Sequence, residues 1–127
     1  MNESGFTQYI MRKLRPDVYC WKIMNTMQNG IPDCYFSGTG GDLWAEMKWI
    51  NKVPKRNTTI IEPNLSELQR RWLNARRAEG RTVCVIIGTP EGCYLFTDGT
   101  WDTGITRDQL TLSRADIIEW IREQTLG

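Results

Sequence analysis

The sequence predicts an α/β fold in which a mixed β-sheet is flanked by helices. Helical and strand-like patterns alternate along the chain, which favours sheet-and-helix layers. The run Thr82–Ile87 is continuously apolar, as is typical of a strand buried on both faces. The predicted order is helix, three strands, helix, two strands, helix, and we expect it to fill one domain over residues 1–127.

The first helix is predicted from an apolar stripe. Phe6, Ile10 and Leu14 recur at helical spacing after Glu3, and Pro16 ends the pattern.

Three strands should follow this helix. Residues 19–24 are rich in aromatic and branched side chains, and Asn29-Gly30 is a strong turn signal. Beyond it we expect a hairpin whose parts are strand 33–37, a glycine-rich loop 38–41 and strand 42–48. Residues 51–63 are bounded by proline, basic and without a clear period, which indicates a loop or arm.

The second half of the chain begins with a further helix that Gly80 should stop. Its predicted inner face comprises Leu65, Leu68, Trp72, Ala75 and Glu79. The apolar strand 82–87 should lie inside the sheet, and residues 92–97 form another strand before an Asp98-Gly99 turn. Ser113 and Asp116 have the spacing of a capping box that opens the last helix.

The composition restricts the chemistry. The chain has no histidine, which excludes histidine-based acid–base catalysis and histidine-ligated zinc. The four cysteines include no C-x-x-C pair, so we expect them to be reduced and buried. The first residues lack a signal-peptide pattern and no apolar run is long enough to span a membrane. We therefore expect a cytosolic protein with no membrane association.

The net charge of +1 conceals a segregation of charge along the chain. Residues 1–47 carry −1, residues 48–81 carry +6 and residues 82–127 carry −4. The central block is a candidate footprint for a polyanion, and a solvated helix face with a basic loop is the alternative.

The hairpin brings two acidic residues together. If the loop closes symmetrically, facing residues have numbers that sum to 79, which places Asp33 opposite Glu46. Like charges in this position destabilise a sheet, and Lys48 relieves the repulsion only in part. An Mg²⁺ or Mn²⁺ ion would complete the compensation because these cations prefer oxygen ligands. The alternative is a solvent-facing strand side with scattered charges.

The same residues resemble a known nuclease signature. Gly30-Ile31-Pro32-Asp33, followed after twelve residues by Glu46-Met47-Lys48, resembles the G-x-PD…ExK pattern of the PD-(D/E)xK nuclease superfamily. The chain is most similar to its VRR-NUC family of phage and bacterial replication–repair nucleases, relatives of archaeal Holliday junction resolvases. The resemblance includes Glu3, the LS-x-x-Q-x-x-W pattern of residues 65–72 and the segment 80–86, and it covers about the first 88 residues. It implies a restriction-endonuclease-like core.

The resemblance also implies roles for individual residues. Asp33 and Glu46 match the metal-binding carboxylates, and the backbone carbonyl of Met47 would be a further ligand. Lys48 matches the catalytic lysine, which would orient water for in-line attack on phosphorus or stabilise charge on the phosphate. The implied cofactor is Mg²⁺ or Mn²⁺, with no small-molecule cofactor.

Two further catalytic candidates each have a structural alternative. Glu3 would reach the metal directly or through water, or it complements the dipole of the first helix. Gln69 would lie near the metal site, or it completes a capping box with Ser66. For Gln69, both roles are compatible.

Basic residues of the central block are candidates for phosphate contacts that read no bases. The candidates for nucleic-acid binding are Lys52, Lys55, Arg56, Arg70, Arg71 and Arg77. The stretch between Lys48 and Ser66 is longer than in the more compact family pattern, and its role as a DNA clamp or a dimer arm stays open.

The sequence therefore predicts a small metal-dependent endodeoxyribonuclease that hydrolyses DNA phosphodiesters, and the resemblance implies branched or junction DNA. A two-fold homodimer with two sites is expected by analogy, with Trp101, Trp120 or the last helix as candidate contacts. The alternatives are a related nuclease acting on flaps, ends or RNA, and a non-catalytic nucleic-acid-binding module of the same fold. We expect the protein in the cytosol of a bacterium or phage-infected host.

Overall fold

A computed structural model describes residues 1–24 and 29–127 of the chain. These residues form a five-stranded sheet, three α-helices and a short 3₁₀ helix, Arg107–Gln109, in the predicted order. The elements are α1 Glu3–Leu14, β1 Tyr19–Lys22, β2 Cys34–Gly38, β3 Gly41–Trp49, α2 Glu67–Ala78, β4 Val83–Thr89, β5 Gly92–Phe96 and α3 Arg114–Leu126. None of the described helices has the length and apolar character needed to cross a membrane.

The sheet is mixed, as predicted. Its strands lie in the order β1-β2-β3-β4-β5, and every neighbouring pair is antiparallel except β3 and β4. The parallel pair follows from the connection through α2, because a parallel partner needs a crossover. The buried strand β4 lies inside the sheet beside the central strand β3, which confirms its predicted interior position.

The β2–β3 hairpin has the predicted register. Tyr35 pairs with Trp44 and Ser37 pairs with Asp42. Gly38 also pairs with Gly41, so the turn consists of two residues and the predicted four-residue loop was too wide.

The glycines of this turn have a packing role. A Cβ on Gly38 would lie 2.5 Å from the carbonyl oxygen of Thr125, at the end of α3. A Cβ on Gly40 would lie 2.7 Å from the backbone nitrogen of Gly127. The glycine-rich turn therefore lets the hairpin contact the end of the last helix directly.

Helices α1 and α3 cover one face of the sheet. Phe6, Ile10 and Leu14 of the predicted stripe are completely buried there, against inward-facing residues such as Phe36 and Leu43. The four cysteines are free and buried, as predicted from their spacing. This face therefore holds the larger part of the core.

Helix α2 lies on the opposite face, and its predicted inner stripe was wrong at Leu68, Ala75 and Glu79. Leu73 is its completely buried residue, whereas Leu68 is 44% exposed and Ala75 is exposed. The helix packs over β4 through Leu73 and leaves the β1–β2 part of the face uncovered by any described helix. Of the predicted stripe, Leu65 is buried just before the helix and Trp72 packs against the core, whereas the other three residues face solvent.

Trp101 is also placed differently from the prediction. Its side chain is completely buried in the core on the α2 side of the sheet, with Leu73 and Phe96. It therefore cannot provide a dimer contact in the folded chain.

Candidate active site at the start of the β2–β3 hairpin

The two carboxylates singled out in the sequence lie side by side. The backbone N–H of Asp33 donates to Oε1 of Glu46 at 3.2 Å, and the backbone N–H of Met47 donates to Oδ2 of Asp33 at 3.1 Å. These contacts continue the hairpin beyond its last ladder pair, Cys34 with Ala45. The register in which the aromatic and apolar side chains of the hairpin face each other thus also brings Asp33 and Glu46, the acidic pair, together.

Two lysines face the acidic pair. Lys48 Nζ lies 3.4 Å from Glu46 Oε2, and Lys22 Nζ lies 3.6 Å from Asp33 Oδ1. Sequence reasoning found Lys48 and missed Lys22. The signal was available in the pairing of β1 with β2, which places Lys22 opposite Cys34 and hence beside Asp33.

Gln69 completes the predicted capping box and also contacts Glu46. Its Oε1 accepts from the backbone N–H of Ser66 at 2.9 Å, and Ser66 Oγ accepts from the backbone N–H of Gln69. Its Nε2 donates to Glu46 Oε2 at 2.9 Å. The capping box at the start of α2 therefore also holds a hydrogen-bond donor on the buried carboxylate.

A glycine fixes the position of that helix start. Gly30 has φ +71°, and a Cβ there would lie 2.3 Å from the carbonyl oxygen of Leu68. Only glycine combines this backbone conformation with so close an approach. The glycine of the G-x-PD motif thus lets the turn before Asp33 pack against the residue that precedes Gln69.

Glu3 lies at the start of α1, close enough to feel the charges of the site. Burial and then the Asp33 carboxylate raise the pKa of Glu3, whereas Lys48, Lys22 and the backbone of Trp49 lower it. The side chain makes no hydrogen bond to Asp33 or Glu46 among the described contacts. The structure thus brings Glu3 to the margin of the acidic pair.

The acidic pair is electrostatically unfavourable. The Glu46 side chain is only 3% exposed. Burial, and then the charge of Asp33, raise the pKa of Glu46 to about 7, although Lys48 opposes this shift. A further positive charge next to Glu46 and Asp33 would therefore help to keep both carboxylates ionised.

This donor set suits a hard divalent cation. Carboxylate oxygens are what Mg²⁺ and Mn²⁺ prefer, and Mg²⁺ commonly takes one or two of them together with water and phosphate oxygens. No cluster of three or more acidic or cysteine side chains able to hold a metal occurs in residues 1–24 and 29–127. The chain thus offers two carboxylates, Asp33 and Glu46, and would leave the other ligand positions to backbone, water and substrate.

The predicted nucleic-acid contacts differ in whether acidic side chains pair with them. Arg70 pairs with Asp102 at 2.5 Å and Arg71 pairs with Glu67 at 2.7 Å, which offsets part of the predicted basic face. Lys52, Lys55, Arg56 and Arg77 are exposed. The segment carrying Lys55 is attached to the 3₁₀ helix, where Arg107 Nη1 donates to the Lys55 carbonyl at 3.2 Å.

Comparison with solved structures places the fold among known ones. The chain is similar to the structure of Hjc, a Holliday junction resolvase from the archaeal hyperthermophile Archaeoglobus fulgidus, with a TM-score of 0.61. The match covers 91% of this chain and 97% of that chain, at 12% sequence identity. It shows that the two chains share a fold. No model of a protein family and no curated protein sequence matches the chain.

Proposed function

We propose that this chain is a metal-dependent endodeoxyribonuclease of the PD-(D/E)xK class, in the VRR-NUC family, and that residues 1–127 form one nuclease domain. The observation that carries the proposal is the contact between Asp33 and Glu46. The Glu46 carboxylate also pairs with Lys48 and accepts a hydrogen bond from Gln69. A binding module has no need of a buried acidic pair. The shared fold with a Holliday junction resolvase supports the same conclusion.

The side chains divide the work of phosphodiester hydrolysis. Asp33, Glu46 and the Met47 carbonyl would hold Mg²⁺ or Mn²⁺, which would neutralise phosphate charge and lower the pKa of water. Lys48 lies within reach of Glu46 and would orient the attacking water or stabilise the negative charge that develops on the phosphate oxygens. Gln69 and Glu3 act as positioning residues, Gln69 by fixing the orientation of the Glu46 carboxylate.

The substrate that we propose is branched or junction DNA, held by contacts to phosphates. The exposed Lys52, Lys55, Arg56 and Arg77 are the stronger candidates, since Arg70 and Arg71 are paired with acids. A protein that reads phosphates and not bases selects its substrate by shape.

We also propose a two-fold homodimer, and the sheet offers an aromatic strip for it. The strip consists of Trp21, Tyr35, Trp44 and Trp72. Tyr35 and Trp44 have ring centroids 4.5 Å apart, Trp44 and Trp72 5.2 Å apart, and Trp21 pairs directly with Tyr35. Trp21 is 47% exposed, on the part of the face that no described helix covers.

A second copy suits this strip better than nucleic acid does. Aromatic residues are enriched at protein interfaces, and in this strip Trp21 is exposed while Tyr35, Trp44 and Trp72 are half-buried. Asp42 accepts a hydrogen bond from the Tyr35 hydroxyl at 2.5 Å, and its negative charge beside the strip disfavours a phosphate backbone. A two-fold interface here would place two acidic sites on one assembly.

One experiment tests the activity. The protein is incubated with a four-way junction, a flap, a linear duplex and an RNA of matched sequence, each with Mg²⁺, Mn²⁺ or EDTA. We expect metal-dependent cutting that is strongest on the junction, and none by Asp33→Asn. Preferred cutting of flaps, ends or RNA would reassign the substrate, and binding without metal-dependent cutting of any of them would indicate a non-catalytic module.

A further inference from the structure

A groove with a positive lining runs beside α1, on the face of the sheet opposite to α2. It has a volume of about 510 Å³ and lies between α1 and the end of β1. Three of its lining residues are cationic, Arg12, Arg15 and Lys22, and none of the described lining residues is acidic. The groove therefore favours an anionic occupant.

The two arginines are available to such an occupant. Arg12 and Arg15 are both exposed, and neither forms an ion pair within the described parts of the chain. Arg15 donates one hydrogen bond, from Nη2 to the carbonyl of Cys20 at 3.1 Å, which holds its guanidinium against β1. The arginines differ in this respect from Arg70 and Arg71 on α2, which are neutralised by acids.

A buried hydroxyl adds an independent observation. Thr7 lines the groove and is only 1% exposed, yet its Oγ1 has no hydrogen-bond partner among the residues that the structure describes. An unpaired buried hydroxyl costs free energy, because it has lost its hydrogen bonds to water. An acceptor bound in the groove would satisfy it.

The groove is connected to the acidic pair through Lys22. This lysine lines the groove and also lies 3.6 Å from Asp33 Oδ1. A chain of phosphates that passes Asp33 and Glu46 would therefore continue into the groove without leaving the protein surface.

We propose that the groove binds a phosphodiester group of the DNA strand that leads away from the acidic pair. Arg12 and Arg15 pair with the charge of the phosphate, and the Thr7 hydroxyl donates to a phosphate oxygen. This inference rests on the proposed function and adds a second contact region, on α1, to the basic residues of the central block. Guanidinium groups suit the task because their donors match phosphate geometry.

Binding in EDTA tests the groove separately from cleavage. The probe is a fluorescein-labelled DNA junction, and its affinity for the wild type, Arg12→Ala/Arg15→Ala and Thr7→Val is measured by anisotropy over a range of salt. At 0.1 M salt we expect the double variant to bind on the order of tenfold more weakly, with a log–log salt slope smaller by about 1.8. Thr7→Val should bind about threefold more weakly and yet melt at a higher temperature, because it removes the unpaired hydroxyl.

Lys13→Ala is the matched control. It removes a positive charge from the same helix, but Lys13 lies outside the groove, with its Nζ 5.7 Å from the centre of the Tyr9 ring. A second arm uses DNA in which single phosphates are replaced by neutral methylphosphonates. A methylphosphonate placed beside the cleaved bond should weaken binding by the wild type. The same replacement should leave the affinity of the double variant unchanged.

The outcomes separate the two proposals. If the double variant binds like Lys13→Ala and keeps the methylphosphonate pattern of the wild type, the groove proposal is overturned while the nuclease proposal stands. If the wild type binds DNA but cuts none, the groove is still decided, since binding is the readout. If the wild type binds no DNA, both proposals are wrong.

Discussion

The backbone N–H of Asp33 donates to the side chain of Glu46 at 3.2 Å, so the two residues whose charges repel are also linked by a hydrogen bond. This link does not depend on the charge of the Asp33 side chain. The acidic pair can therefore be altered at one carboxylate while the hairpin that carries it keeps its register.

Asp33→Asn and Glu46→Gln should abolish cleavage and preserve the fold. Each substitution removes a negative oxygen from the donor set, and we expect the cleavage rate to fall by about a hundredfold or more. Removal of the Asp33 charge also relieves repulsion of Glu46, so the melting temperature of Asp33→Asn should not fall. Rates with Mg²⁺ and thermal melts check this, with Asp98→Asn, in an exposed turn, as the control. An active Asp33→Asn protein would remove the basis of the assignment.

Lys48→Met should lower the single-turnover rate by about a hundredfold, because it removes the cation closest to Glu46. It should also destabilise the metal-free protein, since the buried Glu46 charge loses its partner. The measurements are single-turnover cleavage at saturating protein and urea denaturation in EDTA. Lys13→Met serves for comparison, because Lys13 is exposed on α1 and has no proposed contact with DNA. Equal rates for the two variants would exclude a catalytic role for Lys48.

Gln69→Glu should separate capping from catalysis. A glutamate can still accept from the Ser66 backbone, so amide hydrogen exchange in the first turn of α2 should show that the capping box is kept. Its charge would face Glu46 in place of the amide that now donates, and the cleavage rate should fall.

Ser66→Ala is the reverse control for Gln69. It should cost about 1 kcal/mol of folding free energy by removing the cap and have the smaller effect on cleavage. A larger loss of activity in Ser66→Ala than in Gln69→Glu would show that Gln69 acts only through the helix.

Gly30→Ala should be far more damaging than Gly80→Ala, although both glycines have positive φ, +71° and +85°. A Cβ at Gly80 meets no described atom within 4 Å, whereas at Gly30 it meets the carbonyl of Leu68 at 2.3 Å. Gly80→Ala should therefore cost only the backbone term, about 1–2 kcal/mol. Gly30→Ala should add a clash that shifts α2, and cleavage should fall with it. Denaturation curves and rates of both variants decide this, and similar losses for the two would contradict the close contact.

The buried thiols should make the protein sensitive to alkali. Burial raises the pKa of Cys34 and Cys84 above the ordinary 9.0, so these thiols stay protonated in the folded chain while they ionise in the unfolded chain. Their contribution to stability is complete below pH 9.0 and is lost as the pH rises further, by about 1.4 kcal/mol per unit for each thiol. Urea denaturation between pH 8 and 11 measures it. Cys84→Ala should show a shallower decline, and parallel curves would contradict the argument.

The hairpin was predictable because a single register satisfies its packing. Alternation of buried and exposed side chains fixes which residues face each other, and the position of Asp33 beside Glu46 follows from it. The inner face of α2 was not predictable, because the helix has few apolar residues and contacts the sheet mainly through Leu73 and, at its edge, Trp72. Lys22 was missed because its proximity to Asp33 depends on the register in which β1 pairs with β2, and the sequence pattern fixes no register for these two strands.

The side chain of Gln69 joins the first turn of α2 to the Glu46 carboxylate. Helix ends open and close more often than helix centres, and here such an opening would also release a donor from the acidic pair. Fraying of one helical turn and rearrangement of the site are therefore a single event on the same timescale. Amide hydrogen exchange at Gln69, whose N–H is held by Ser66, would report how often the site is fully assembled.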